Sequence, residues 1–289
     1  MSDGCGGVLS FRVLSFESLD STNEEARRQV GAGADAGTVI WARQQQAGRG
    51  RRGRAWVSDE GNLFCSVIVR PGCSPARAAQ VSLVTALAVA DAVEAALGGR
   101  VAVEGEAALG GRVAVEGEAA LGGRAAVEVK WPNDVLVGGR KIAGILLESD
   151  MAPGAGGAGL VASLVVGVGI NVAGAPEGTE FPATSLAHEG AEDLAVAGVL
   201  ARFLARFGYW YRRWAVEGLA VVREAWLARA AGLGGPVTVR LHRETLWGTF
   251  VGLDGDGALL LASGGEWSVR SIAAGDVFFG GVPVPSFSS

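Results

Sequence analysis

KWPNDVLVGGRKIAGILLE, from Lys130 to Glu148, is the stretch whose reading decides the fold. Val127 to Trp131 has strand composition, and Pro132 stops it because proline has no N–H to give to a ladder. Pro132-Asn133-Asp134 reads as a turn that leaves a carboxylate just past a strand end. Val135 to Val137 predicts a second strand, Gly138-Gly139 a hairpin turn, and Lys141 to Glu148 a third strand. Ile142, Ile145 and Leu147 supply apolar side chains, while Ala143 and Gly144 leave room for a ligand to lie close to the backbone. Lys130 and Lys141 are also the only lysines in the chain. An ammonium is a compact, mobile point charge whose pKa can shift, which a guanidinium does not offer. A hairpin with Asp134 at one end and Lys141 at the other has the makings of an anion-site floor. On an exposed hairpin the same two residues make an ordinary ion pair.

The whole chain sets the limits. Its 289 residues are enough for one large domain and a small one. A formal net charge of −5 argues against a global attraction to nucleic acid. Cys5, Cys65 and Cys73 form no CxxC pair, and His188 and His242 are the only histidines, so no metal-ligand cluster stands out. That usage fits a reducing cytosol. No secretory signal opens the chain, and the most apolar run, Leu160 to Val172, is too short and too glycine-rich to span a bilayer. The expected location is the cytoplasm, without membrane attachment.

Upstream, Phe11 to Phe16 reads as a strand, and the Ser18 to Glu25 segment opens a short helix ending near Gly31. Ser21 and Glu24 have capping-box spacing. A helix N-terminus also gathers unpaired N–H groups and hydroxyls at one spot. Thr38 to Ala42 predicts a buried strand. The loop from Gln44 to Trp56 follows, carrying Arg49, Arg51, Arg52 and Arg54 among Gly48, Gly50 and Gly53. These glycines match GxGxxG in form, but the dinucleotide fingerprint should open a helix, and here Asn62 to Val69 has strand composition. No GK[ST] follows either, which sets it apart from a P-loop. The expectation is a mobile, positive flap that orders when a ligand brings the counter-charge. Ala76 to Leu97 predicts one long amphipathic helix.

Glu94 to Gly105, EAALGGRVAVEG, recurs unchanged as Glu106 to Gly117 and again as EAALGGRAAVEV from Glu118 to Val129. One copy suffices to join helix to strand, so the other two read as a duplication in a surface loop, where added length costs little closure entropy. Further on, Leu160 to Val172 predicts a buried strand ending in GVGIN (Gly167 to Asn171). Leu194 to Phe207 and Tyr209 to Ala231 predict two helices, and Gly232 to Gly235 a linker. Val237–Leu241, Thr245–Leu253, Ala258–Ala262 and Trp267–Ile272 predict the strands of a small barrel.

In this order, Ser21-Thr22-Asn23, Gln45 with GRGRRGRAW (Gly48 to Trp56), Lys130 to Glu148 and GVGIN resemble the biotin–protein ligases over nearly the whole chain. The resemblance implies an α+β fold: a mixed sheet flanked by helices, of the class II synthetase-like biotin and lipoate ligase type, in residues 1–234, and an SH3-like barrel in 235–289. The repeated insert occupies about residues 94–129. It implies a two-step reaction in which biotin and ATP, with Mg²⁺, give biotinyl-5′-AMP and pyrophosphate. A lysine of a biotin carboxyl carrier protein or domain, as in acetyl-CoA carboxylase, then takes the biotinyl group.

By the same resemblance Lys141, Arg51 and Asp134 are the catalytic residues. Biotin would be held by Ser21, Thr22, Asn23, Gln45, Arg49, Gly50, Arg51, Lys141 and Gly144. The nucleotide would meet Arg49, Arg51, Arg52, Trp56, Lys141, Asn171 and Arg270. Asp134 would position either the carrier lysine or a magnesium ion brought by ATP, with no dedicated metal site in the protein. The chemistry agrees: two anions must meet, so fixed cations neutralise charge as it shifts. The uncharged ureido ring needs neutral donors and acceptors. Some relatives begin with a DNA-binding winged helix; only about a dozen residues precede the catalytic segment here, so no operator binding is expected, while a homodimer is open. A lipoate–protein ligase of related fold, and an RNA-binding protein using Arg49 to Arg54, are the competing readings.

Overall fold

The computed structural model describes residues 9–98, 126–152, 159–191, 194–263 and 268–279. Most of the repeated insert and Trp267 lie outside them. Seven strands form the main sheet: β1 (Arg12–Leu19), β2 (Thr38–Gln45), β3 (Leu63–Val69), β4 (Val127–Lys130), β5 (Asp134–Val137), β6 (Arg140–Ala152) and β7 (Leu160–Ile170), in the order β1-β2-β3-β7-β6-β5-β4. Only β1 and β2 run parallel; every other neighbour is antiparallel. Gly138 and Gly139, at φ 55° and 74°, make the turn between β5 and β6 with backbone angles that other residues resist.

Each face of the sheet is covered differently. Because side chains alternate along a strand, Leu63, Cys65, Val67 and Val69 of β3 point to one face and Ser66 and Ile68 to the other. The first face carries the main core, packed under α3 (Val81–Ala96) and α4 (Val196–Glu217). The second face has a small cluster of Ala26, Ile40, Ile68 and Val165 beneath α1 (Thr22–Gly31). α1 is short, so much of this second face stays open to hold a ligand.

Three helical expectations are corrected. Pro75 to Ala96 is two helices, α2 (Pro75–Ala79) and α3, and α3 is buried on nearly all sides rather than amphipathic. It lies between the sheet and α4, so it has no wet face to pattern. This segment is long and apolar enough to cross a membrane, yet it is mostly buried within the fold. Downstream, α4 runs unbroken through Gly208 to Glu217, and α5 (Leu219–Leu227) begins after Gly218. Gly218, at φ 82°, breaks the helix; Gly208 stays inside it, where a Cβ would come 3.3 Å from the Phe11 ring. Lastly, Ser21 stands at the α1 N-cap position without a side-chain cap bond, so the expected capping box does not form. Glu24 pairs with Arg49 instead.

A second, antiparallel sheet of five strands follows: β8 (Pro236–Arg240), β9 (Thr245–Leu253), β10 (Leu259–Ala262), β11 (Val269–Ile272) and β12 (Asp276–Phe279), ordered β11-β10-β9-β8-β12. It has the SH3-like character expected, but β12 was not foreseen, because four residues before a Gly-Gly pair carry too little pattern to read.

Beneath the main sheet, Asp91 of α3 is 1% exposed. It accepts from Arg206 Nε at 2.7 Å, Trp210 Nε1 at 2.7 Å and Arg229 Nη1 at 2.6 Å, joining α3, α4 and the segment after α5. Removing the carboxylate leaves the mostly buried Arg206 guanidinium without an ion-pair partner and Arg229 with Glu94 alone, 3.3 Å away. Asp91→Ala is therefore expected to lower unfolding free energy by roughly 3–5 kcal/mol in urea denaturation. An unchanged midpoint would show the cluster to be dispensable.

Candidate functional site

The open part of the second sheet face is a cleft bordered by α1, the arginine loop, the β4–β6 hairpins and β12. The register of β6 on β7 builds its floor. Gly144 pairs with Gly169 and Leu146 with Gly167, and all four face the side shared with α1. The Trp56 ring lies on this floor: a Cβ at Gly169 would come 2.6 Å from its indole and one at Gly144 2.8 Å. Trp56 Nε1 is buried with no hydrogen-bond partner, so a donor waits there for an acceptor.

At one end of the cleft most of the polar groups are neutral. Gln45 Oε1 accepts from the Thr22 N–H at 2.8 Å and from Thr22 Oγ1 at 3.2 Å, while its amide donates to Ser58 at 3.0 Å. Ser66 Oγ lies 2.6 Å from Asn23 Oδ1 and 2.8 Å from Thr22 Oγ1. Asn23 Nδ2 donates to Glu148 at 2.7 Å. Both ends of the Asn23 amide are thus oriented by the protein, leaving one N–H and the Ser21 hydroxyl for a ligand. Glu148 also lies 3.9 Å from Arg49.

At the other end the groups are charged. Lys141 Nζ lies 2.6 Å from Asp134 Oδ1, an ion pair without hydrogen-bond angles, and 5.4 Å from the centre of the Trp56 ring. The arginine loop closes on itself, with Gly50 N–H donating to Arg54 O at 2.7 Å and Trp56 N–H to Gly48 O at 2.9 Å. Arg51, Arg52 and Arg54 all reach Asp276 of β12. Arg51 donates further to Asn133 Oδ1 at 3.1 Å and Gly275 O at 3.3 Å. The loop that the sequence reading expected to order on a ligand's counter-charge is thus anchored on Asp276, one carboxylate for three guanidinium groups. Desolvation lowers the pKa of Arg51 and Asp276 opposes it.

Ser21, Thr22, Asn23, Gln45, Arg49, Gly50, Arg51, Trp56, Asp134, Lys141 and Gly144 all line this one cleft. Arg52, Asn171 and Arg270 do not. Asn171 is buried, with its amide donating to Thr184 O at 2.9 Å, and Arg270 pairs with Glu244 on the exposed second sheet. Asn133, Glu148, Phe181, Asp276 and the position of Lys130 went unforeseen. Only Lys130 carried a signal, as one of two lysines; Asp276 lay in the strand whose pattern was too short to see. No group of three metal-ligating side chains occurs among the described residues. Asp134 and Asp276, the carboxylates of the charged end, are already matched by cations. A resident metal does not fit.

A profile of the Biotin/lipoate A/B protein ligase family matches residues 15–171, and a second of that description matches 117–228. The Biotin protein ligase C terminal domain matches residues 232–280. The chain is 37% identical to the Biotin–[acetyl-CoA-carboxylase] ligase of Paracoccus denitrificans, covering 91% of this chain and 98% of that one. Among solved structures it resembles the biotin protein ligase of Aquifex aeolicus in complex with biotin and ATP, with TM-score 0.71 and 25% identity over 92% of this chain and 97% of that one. It also resembles the biotin protein ligase of Leishmania major in complex with biotinyl-5-AMP, with TM-score 0.60 and 27% identity over 91% and 98%.

Among the described residues Asp276 is the only carboxylate shared by three loop arginines, so Asp276→Ala should loosen the loop without unfolding the sheet. Limited trypsin digestion is expected to cut after Arg51, Arg52 or Arg54 several times faster in the variant. Equal cleavage rates would mean that Asp276 does not hold the loop.

Proposed function

The chain belongs to the Biotin/lipoate A/B protein ligase family as a biotin–[acetyl-CoA-carboxylase] ligase, and from that premise we propose how its cleft joins biotin to a carrier lysine. The enzyme attaches biotin at the expense of ATP. The neutral end, with Ser21, Thr22, Asn23 and Gln45, suits the uncharged ureido ring, which needs donors and acceptors without net charge. The bicyclic ring and its acyl chain would lie along the cleft beside the Trp56 ring, which covers Gly144 and Gly169. The carboxylate then reaches Lys141 and Arg51.

In the first step a carboxylate oxygen of biotin forms a bond to the α-phosphorus of ATP, and the bond to the bridging oxygen breaks, releasing pyrophosphate. The barrier is largely electrostatic, and cations already in place need no reorganisation as charge moves. Lys141 and Arg51 are such cations. Magnesium enters with ATP as part of the substrate. In the second step the carrier lysine gives a proton of its ammonium to Asp134 and attacks as the neutral amine. Its nitrogen bonds to the acyl carbon, and the bond from that carbon to the phosphate oxygen breaks with its electron pair going to AMP. The nitrogen then releases a second proton to solvent. Burial against Trp56 limits hydrolysis of the mixed anhydride.

The Lys141–Asp134 pair carries this reading. An incoming phosphate competes with Asp134 for Lys141, and as Lys141 moves toward the adenylate, Asp134 is freed to receive the ammonium of the carrier lysine. One ion pair thus links both steps. The carrier substrate, of the acetyl-CoA carboxylase type, must therefore approach from the Asp134 side.

Pyrophosphate release from ATP tests the first step. Release is expected with biotin and not with lipoate; the reverse preference would move the chain to lipoate chemistry. Lys141→Arg should slow release by roughly 10- to 100-fold although the charge is kept, because a planar fork cannot follow a point charge between two partners. Near-normal release in that variant would remove Lys141 from the reacting centre.

A further inference from the structure

Lys130 has no part in the steps above, yet it faces the same cleft and is only 4% exposed. Among the described residues no carboxylate lies within ion-pairing distance of its ammonium and no acceptor within hydrogen-bonding distance. Its nearest partners are aromatic. Nζ sits 3.4 Å from the Phe181 ring centre, 5.4 Å from that of Phe279 and 5.9 Å from that of Phe278. Phe181 and Phe278 stack at 4.9 Å, joining the main body to β12. Ring faces attract a cation but do not replace the oxygen acceptors that its three donors seek. Desolvation pulls the Lys130 pKa down to about 8, aided by Lys141 and opposed by Asp134, Asp276 and Glu180. That is the direction for a buried cation without its counter-ion.

The surroundings point the same way. Arg51, Arg52 and Arg54 share one carboxylate, Asp276. Arg240, also near Asp276, is matched by Glu180, and Lys141 is matched by Asp134. Lys130 and the three loop arginines therefore set four positive charges against one negative at the seam between the two sheets. Such a surplus fits a small polyanion, whose oxygens only accept.

We propose that Lys130, with Arg51 and Arg54, holds the pyrophosphate that leaves when the acyl-adenylate forms. The assignment rests on the adenylation reading and adds the seat of the leaving group. As the oxygen bridging to the β-phosphorus departs with its electron pair, negative charge grows on pyrophosphate. Lys130 meets that charge while Lys141 stays with the carboxylate and α-phosphate, and Arg51 spans the two. The chain's two lysines thus divide the anion between them.

Lys130→Met keeps the aromatic packing and removes the charge. Inhibition of biotinyl-AMP formation by added magnesium pyrophosphate is expected to weaken by roughly 10- to 100-fold, as for a lost charge-assisted hydrogen bond. The KM for biotin should move less than about two-fold. Wild-type protein gives a second measurement that needs neither a stable variant nor turnover: reductive methylation read by mass spectrometry, where the only side-chain amines are Lys130 and Lys141. Magnesium pyrophosphate alone should protect Lys130. Unchanged pyrophosphate inhibition in Lys130→Met, or labelling of Lys130 indifferent to pyrophosphate, would overturn the assignment. So would a variant that adenylates normally but transfers poorly from preformed biotinyl-AMP. Protection of Lys130 in a protein that makes no biotinyl-AMP would keep the anion seat and sink the adenylation reading.

Discussion

The register of β6 against β7 is the constraint on which the rest depends. It sets Gly144 beside Gly169 and Leu146 beside Gly167, on the sheet face that α1 leaves partly bare. A slip of one residue would turn these positions into the core and bring Ile145 and Val168 out. The same alternation places Glu148 where it orients Asn23 and Ser66 where it bonds both Asn23 and Thr22. The polar lining near α1 and the glycine floor under Trp56 thus follow from one pairing pattern.

Charge is distributed along the cleft in a graded way. One end is lined mainly by neutral groups, with Glu148 beside Arg49; the middle holds a lysine balanced by one carboxylate, and the seam with the second sheet has more cations than carboxylates. The SH3-like sheet contributes directly, since Asp276 of β12 gathers the arginine loop and Phe278 and Phe279 wall in Lys130. A loop rich in glycine and arginine would otherwise sample many conformations, and its backbone bonds and Asp276 hold it over the floor.

Much of this was legible in the sequence because strong local signals and tertiary needs agreed. Pro132, Gly138-Gly139 and the alternation after Lys141 report the hairpin directly, and Ser21 to Asn23, Gln45, Arg49, Arg51 and Arg54 do line one cleft with Lys141. What was missed depends on long-range contact. Asp276 lies more than two hundred residues from the arginines it binds, in a strand too short to announce itself. Glu148 was counted as the end of a motif, though its carboxylate is part of the site. α3 was read as amphipathic because nothing in its own pattern says that α4 will cover its outer side. Gly208 was taken as a helix break, but glycine also serves where a neighbouring ring, here Phe11, would sit tight against a Cβ.

The central claim is that Asp134 is held by Lys141 until the anhydride forms and then receives the carrier lysine. Asp134→Asn separates the two steps most directly, with biotinyl-AMP formation and transfer to a carrier domain each followed in single turnover. The account predicts adenylation within a few-fold of wild type and transfer slowed by roughly 100-fold or more. Equal losses in both steps, or normal transfer, would contradict it.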